Sequence, residues 1–317
     1  MSEFLDSGPF KSVALSAGFT TAGICAVEPP AGLDFYKQWI AEGNHAGMEY
    51  LPNSVELRSD PRRLLESAQT VIALTLNYRQ PAAEAANFRV AQYARGRDYH
   101  KVIRGKMNRL IARWELEFPG AEFRGCVDSA PIFEREYAHL AGLGWFGKNT
   151  CLIDSKRGSF FFIALILTSL DIQRDQPALG GCGTCRACIE ACPTGAIQFG
   201  NGRWFINSNR CVSYLTIEHR GDIAPELAKG VGDWSFGCDV CQDVCPFNHS
   251  GPRQPERGQL TAEPDFAARE YPSLAQLASM SREEWDQRFS GSAIRRAGFD
   301  GLVRNVTLNL KNRSEVS

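Results

Sequence analysis

Apolar positions in this chain fall into short runs parted by polar turns, and the period of each run predicts its element. Val71–Asn77 (VIALTLN) and Phe160–Thr168 (FFFIALILT) are segments rich in apolar, β-branched and aromatic residues, the pattern of inner strands buried on both faces. Thr21–Val27, Phe123–Val127, Cys151–Asp154 and the wider segment Ser159–Ser169 also read as strands. Helical spacing appears at Lys11–Ala17, at Asp34–Glu42 ahead of Gly43, at Tyr99–Phe118, and at Ile132–Ala141, where Gly142 and Gly144 are stop signals. The alternation predicts an α/β (α+β) domain over residues 1–175. The longest apolar run is far shorter than the roughly 20 residues that a bilayer demands.

From Cys182 to Pro193 the chain reads CGTCRACIEACP. Three cysteines at two-residue gaps, a fourth after three more and a following proline form the ferredoxin run, in which the first three hold one cubane and the fourth ligates its neighbour. Such a run predicts a second. It stands at Cys238, Cys241 and Cys245 in CDVCQDVCPF, but Ser235 occupies the place of its first cysteine, and Cys211 is the only cysteine between the runs. Crossed ligation then assigns Cys182, Cys185, Cys188 and Cys245 to one [4Fe-4S] cluster, and Cys192, Cys211, Cys238 and Cys241 to the other. Structural zinc shares the C-x2-C pair but not this longer spacing. Cys25, Cys126 and Cys151 lie in apolar surroundings with no clustered spacing, which predicts inert buried thiols. The cluster-binding segment is expected over residues 176–250, and the stretch GPRQPERGQ opens a helical C-terminal region over 251–317.

Composition changes this picture little. The 317 residues are 44% hydrophobic and 22% charged, with a formal net charge of -1, as in an ordinary globular protein. A start of MSEFLDSGPFKSVAL carries neither a secretory nor a twin-arginine pattern, so a cytoplasmic protein is expected.

Three further places carry candidate chemistry. Asp128, in CVDSAPIFERE, follows a strand and precedes a proline; it is either an acid facing a cleft or a turn-capping residue. The glycines of LGWFGKNT (143–150) permit close backbone approach to a ligand, although this is no phosphate-binding fingerprint. Between Arg89 and Arg113 basic residues interleave with Tyr93, Tyr99 and His100, which suits either a solvated helix face or contact with phosphates and bases.

Taken together, YARGRDYHKVIR, VDSAPIFEREYAHLAGLGWFGKNTCLI and the two cysteine runs around NRCVSYLTIEHRG resemble the epoxyqueuosine reductase family over nearly the whole chain. The resemblance implies a fold distantly similar to nitroreductases and reductive dehalogenases, with base-off cobalamin beside the second cluster. It implies that Asp128 is the proton donor and that the eight assigned cysteines are ligands. Cobalamin contacts implied by it are Arg58, Lys148, Asn149, Ser213, Asp239 and Val240. The substrate is then tRNA carrying epoxyqueuosine, reduced by a monomer fed from an external low-potential electron donor. Many members continue into HEAT-like repeats, whereas this chain ends soon after RRAGFDGLVRNVTLNLKNR, implying a smaller grip on tRNA. For such chemistry the acid must be protonated when oxygen leaves, so a carboxyl raised by burial is expected at Asp128. A ferredoxin-type electron carrier and a reductive dehalogenase-like enzyme are the alternatives.

Overall fold

The computed structural model describes residues 4–81, 88–252 and 254–314. Its centre is a four-stranded sheet in the order Thr21–Ala26, Thr70–Asn77, Phe161–Thr168, Phe123–Cys126. The two long apolar runs are its inner strands, paired in register from Thr70↔Thr168 to Asn77↔Phe161. Every pairing in the sheet is antiparallel, so the domain is α+β, and Asp128 does not owe its place to the crevice of a parallel sheet.

Alternation along Thr70–Asn77 sends Ile72, Leu74 and Leu76 to one face and Val71 and Ala73 to the other. The first face is covered by helices Ser7–Ser16 and Tyr99–Glu117, which contribute Phe10, Ile103, Met107 and Trp114 to a common core. Helix Glu134–Leu140 covers the second through Tyr137 and Ala138. That helix starts two residues later than its apolar spacing predicts. Ser129, Ile132 and Glu134 each donate a backbone bond only two residues back, and such tight turns exclude helix.

The cysteine-rich segment is a set of short helices and one hairpin, Ile197–Gly200 with Arg203–Ile206, and is tied to the rest in three ways. Buried Asn248 accepts from the Ser159 amide at 2.7 Å and donates to the Gln242 carbonyl at 2.8 Å, pinning the second cysteine run beside the inner strand. Strand Trp234–Phe236 runs parallel to Arg89–Val90. Finally, Asn305 of helix Gly298–Ser314, fully buried, donates to the carbonyls of Thr216 (2.8 Å) and Ser235 (2.9 Å). The helices Leu274–Ala278 and Arg282–Arg288 each begin with a capping box, Ser273 with Gln276 and Ser281 with Glu284.

The basic stretch divides between two roles. Arg95 is buried, its guanidinium bonded to the carbonyls of Val90 (3.0 Å) and Pro81 (3.1 Å), and Arg97 pairs with Asp265. Arg95 is therefore a structural strut and not a phosphate contact. Lys101, Arg104, Arg109 and Arg113 are exposed along helix Tyr99–Glu117. Among the described residues no helix is long and apolar enough to cross a membrane.

Candidate active site and cluster ligands

Edge strand Phe123–Cys126 delivers the chain to buried Val127 and then to Asp128, whose φ of 49° lies in the left-handed region. Helix Tyr99–Glu117 begins beside it. Asp98 caps that helix by accepting from the His100 amide at 3.1 Å, and the same oxygen lies 2.8 Å from His100 Nδ1. His100 Nε2 lies 2.8 Å from Asp128 Oδ2. Carboxylates on both ring nitrogens are satisfied together only by an imidazolium, which donates from each.

Burial opposes that charge, yet the bonds from Asp128 and Asp98 outweigh it and raise His100 to about 9. Burial likewise pushes the Asp128 carboxyl up, but the hydrogen bond and charge of His100, helped by the Tyr99 hydroxyl, bring it below its ordinary value. The expectation of a raised Asp128 is thus reversed: the proton rests on His100. Tyr99 stacks on the imidazole at 4.0 Å and on Phe162 at 4.2 Å, which fixes the ring plane against the inner strand. With Asp128 56% and His100 30% exposed, solvent screens the pair.

Other groups gather at this end. Tyr50 is 47% exposed, with the Arg296 guanidinium 5.5 Å above its ring and Arg296 paired to Glu218 at 2.8 Å. Asp128 acts electrostatically on both Tyr50 and Arg296, which places the C-terminal region at the mouth of the site. Arg58 donates to Ser54 and to the Ile132 carbonyl (3.1 Å), bracing the turn that carries Asp128. A cavity of about 810 Å³ between Arg79, Phe88, Leu260 and Tyr271 is lined by neither Asp128 nor any cysteine.

The cysteines form two groups. Cys182, Cys185, Cys188 and Cys245 line one small cavity, so the last cysteine of the second run joins the first three of the first. Burial first, then Cys182, Cys245 and Cys185, push the Cys188 thiol up to about 11. In the other group burial raises Cys238 to about 12, with Cys211 and Cys192 adding to the shift, and Cys241 is influenced by Cys238 and Cys211. Among the described residues no three His, Cys, Asp or Glu side chains converge tightly enough for a single metal ion. Four cysteines in each group is the ligand number that a cubane takes.

The surroundings fit clusters as well. Trp145 Nε1 is buried without a partner and packs in the same small core as Cys182 and Cys245, a donor in want of an acceptor such as a cluster sulfur. Backbone amides also reach sulfur: Lys148 N to Cys182 Sγ at 3.4 Å and Ala196 N to Cys192 Sγ at 3.3 Å. Cys25 and Cys126 are buried thiols raised by burial, as their apolar surroundings predict. Cys151 departs from that expectation. Its thiol is in hydrogen-bond contact with Cys241, a fifth thiol beside the second group.

Four of the residues assigned to cobalamin serve the cysteine runs here. Lys148 Nζ donates to the carbonyls of Gly183 and Cys185, both at 2.8 Å, and buried Asn149 donates to the Cys241 carbonyl at 3.2 Å. Buried Asp239 accepts from the Gln92 amide at 2.7 Å, and the Val240 amide donates to the Cys238 sulfur. The Ser213 amide donates to Cys211, and Ser213 itself is half-buried. Sequence placed Tyr99 and His100 only in the basic, aromatic stretch, with no part beside Asp128, and did not single out Glu134. The available signal was Asp98-Tyr99-His100 at a helix start, where a cap can also orient an imidazole.

Residues 181–248 match the family described as 4Fe-4S double cluster binding domain, and residues 58–129 match "Epoxyqueuosine reductase QueG, DUF1730". The chain is 38% identical over 313 residues to an epoxyqueuosine reductase of Xanthomonas campestris pv. campestris, covering 95% of this chain and 85% of the relative. The chain belongs to the epoxyqueuosine reductase family. As a member it is an oxidoreductase with a double-cluster domain. Solved epoxyqueuosine reductases share the fold over 96% of this chain and 80% of theirs. The Streptococcus thermophilus structure aligns with a TM-score of 0.82 at 28% identity, and one with an epoxyqueuosine-modified tRNA-Tyr stem loop with 0.84 at 25%. A catabolic reductive dehalogenase shares the fold more distantly, with a TM-score of 0.51 at 17% identity over 95% of this epoxyqueuosine reductase chain and 37% of its own.

Proposed function

We propose that this protein reduces epoxyqueuosine to queuosine in tRNA, with Asp128 and His100 delivering a proton to the departing oxygen. Opening the epoxide to an alkene releases its oxygen as water and consumes two electrons and two protons. The observation that carries the reading is the Asp98–His100–Asp128 chain, which holds a proton on His100 at neutral pH within 2.8 Å of the Asp128 carboxylate. In this reading the proton passes from His100 Nε2 through Asp128 Oδ2 to the oxygen, leaving a neutral imidazole still bonded to Asp98. Tyr99 steadies the pair by stacking and by its hydroxyl.

Cys182, Cys185, Cys188 and Cys245 would hold one [4Fe-4S] cluster and Cys192, Cys211, Cys238 and Cys241 the other, with Trp145 donating to the first. Cobalamin would be held by Arg58 and Ser213, with Lys148, Asn149, Asp239 and Val240 shaping its site through the cysteine runs that they fix. When bound, these groups would supply the two electrons of the reduction, taken singly from an external low-potential donor. Residues 1–175 would carry the cofactor, 176–250 the clusters and 251–317 the wall at Arg296, all in one monomer in the cytoplasm. The tRNA backbone would lie along Lys101, Arg104, Arg109 and Arg113.

Anaerobic cluster reconstitution with cobalamin added, followed by assay on epoxyqueuosine-containing tRNA, tests the reading. Queuosine formation that requires both additions is expected. Cluster reduction without corrinoid uptake or turnover would instead mark an electron carrier.

A further inference from the structure

The turn that carries Asp128 has little to hold it. Asp128 and Ser129 are exposed, Asp128 sits at positive φ, and the backbone bonds of the turn close only rings of three residues. Left-handed backbone costs a non-glycine residue roughly 1–2 kcal/mol. One contact counters this: the Asp128 amide donates to Glu134 Oε1, on a side chain that reaches back across the whole turn from the first position of helix Glu134–Leu140.

We propose that Glu134 is a positioning residue, whose carboxyl grips the Asp128 amide and thereby holds the Asp128 side chain against His100. This rests on the reading of Asp128 and His100 as the proton-delivering pair. The environment of Glu134 suits a grip more than a charge. The titratable and charged groups that act on it or feel it are Asp128, Tyr99, Cys126, Arg135 and Arg58. Burial, then the Asp128 charge, raise it to about 8. Near neutral pH it is thus mainly an uncharged acid, which accepts the amide hydrogen through its carbonyl oxygen without setting a second negative charge beside Asp128. Arg58, bonded to the Ile132 carbonyl two residues before Glu134, braces the same turn from outside.

A neutral acceptor of the same shape should therefore replace it. In cluster-loaded protein, Glu134→Gln is expected to keep the His100 ring titration near its wild-type value, measured by NMR, and to keep kcat within about threefold. Glu134→Ala should lower the His100 pKa by at least about one unit from about 9. It should also cut kcat about tenfold or more with little change in KM for tRNA, part of the roughly 10²–10⁴ that a general acid supplies. If Glu134→Ala fails to fold, Glu134→Asp, one methylene short of the amide, carries the same expectations. An unmoved His100 titration and kcat in the shortened variant would overturn the proposal. So would a Gln variant as damaged as the Ala variant, which would give Glu134 a proton-carrying role. Asp128→Asn with full turnover would refute the reading of Asp128, whereas the His100 titration reports on Glu134 regardless.

Discussion

His100 Nε2 and Asp128 Oδ2 meet at 2.8 Å although 28 positions separate the residues, because a helix start and an edge-strand end converge on one end of the sheet. In the proposed reaction the pair would divide the work of a general acid, with Asp128 facing outward as the carboxylate and His100 holding the proton behind it.

The first expectation is a pH effect with a definite sign. His100 rises from 6.5 to about 9 on folding, so its stabilising contribution is complete below about 6.5 and is lost as pH rises through about 9. Turnover, which depends on the folded protein alone, should decline as pH rises through about 9. Glu134, at about 8, titrates nearby, so the limb is assigned with His100→Gln, which should be slowed about 10²-fold and lack the limb near 9. The melting-temperature gap between this variant and wild type should narrow as pH rises from 6.5 to 9.

Iron counting tests the crossed ligation. Cys211→Ser should lose one cluster, falling from about eight irons to about four, with the other cluster spectroscopically normal. Cys151→Ser, which removes the extra thiol beside Cys241, should keep both. A full iron complement in Cys211→Ser would remove Cys211 from the ligands.

Trp145→Phe removes the indole N–H while keeping an aromatic ring in the small core beside Cys182 and Cys245. Loss of one donor to a cluster sulfur disfavours the more negative reduced state. Redox titration followed by EPR should show one cluster lowered by about 20–60 mV, the equivalent of one hydrogen bond, and the other unmoved. Unchanged potentials for both would mean that the indole does not face the cluster.

Replacing Arg104 and Arg109 together should weaken tRNA binding and flatten its salt dependence by roughly one to two units of slope, with cluster content intact. Arg95→Ala should act differently. It strips bonds from the carbonyls of Val90 and Pro81, and should lower the melting temperature without a specific effect on the salt slope.

What the sequence made legible follows from where each signal is local. Thr70–Asn77 and Phe161–Thr168 are recognisable because burial on both faces leaves no charged position in their middle, and the cysteine runs because ligand geometry sets their gaps. The antiparallel order was not legible, since apolar runs do not encode direction. Arg95 was misread because a charge pattern does not report burial, and its guanidinium is satisfied by carbonyls that any sequence supplies. His100 went unassigned because its role arises only where the cap Asp98 and the turn at Asp128 meet it from opposite sides. Glu134 was hidden similarly, its partner being a backbone amide.

The central claim, that Asp128 and His100 together deliver the proton, is tested most directly by Asp128→Asn in single turnover on epoxyqueuosine-containing tRNA with clusters and cobalamin bound. The amide keeps the size of the side chain but cannot relay a proton. The rate of queuosine formation should fall by at least about 10²-fold, and the His100 titration should move from about 9 toward 6.5. A near-normal rate at several pH values, with both clusters and cobalamin in place, would contradict it.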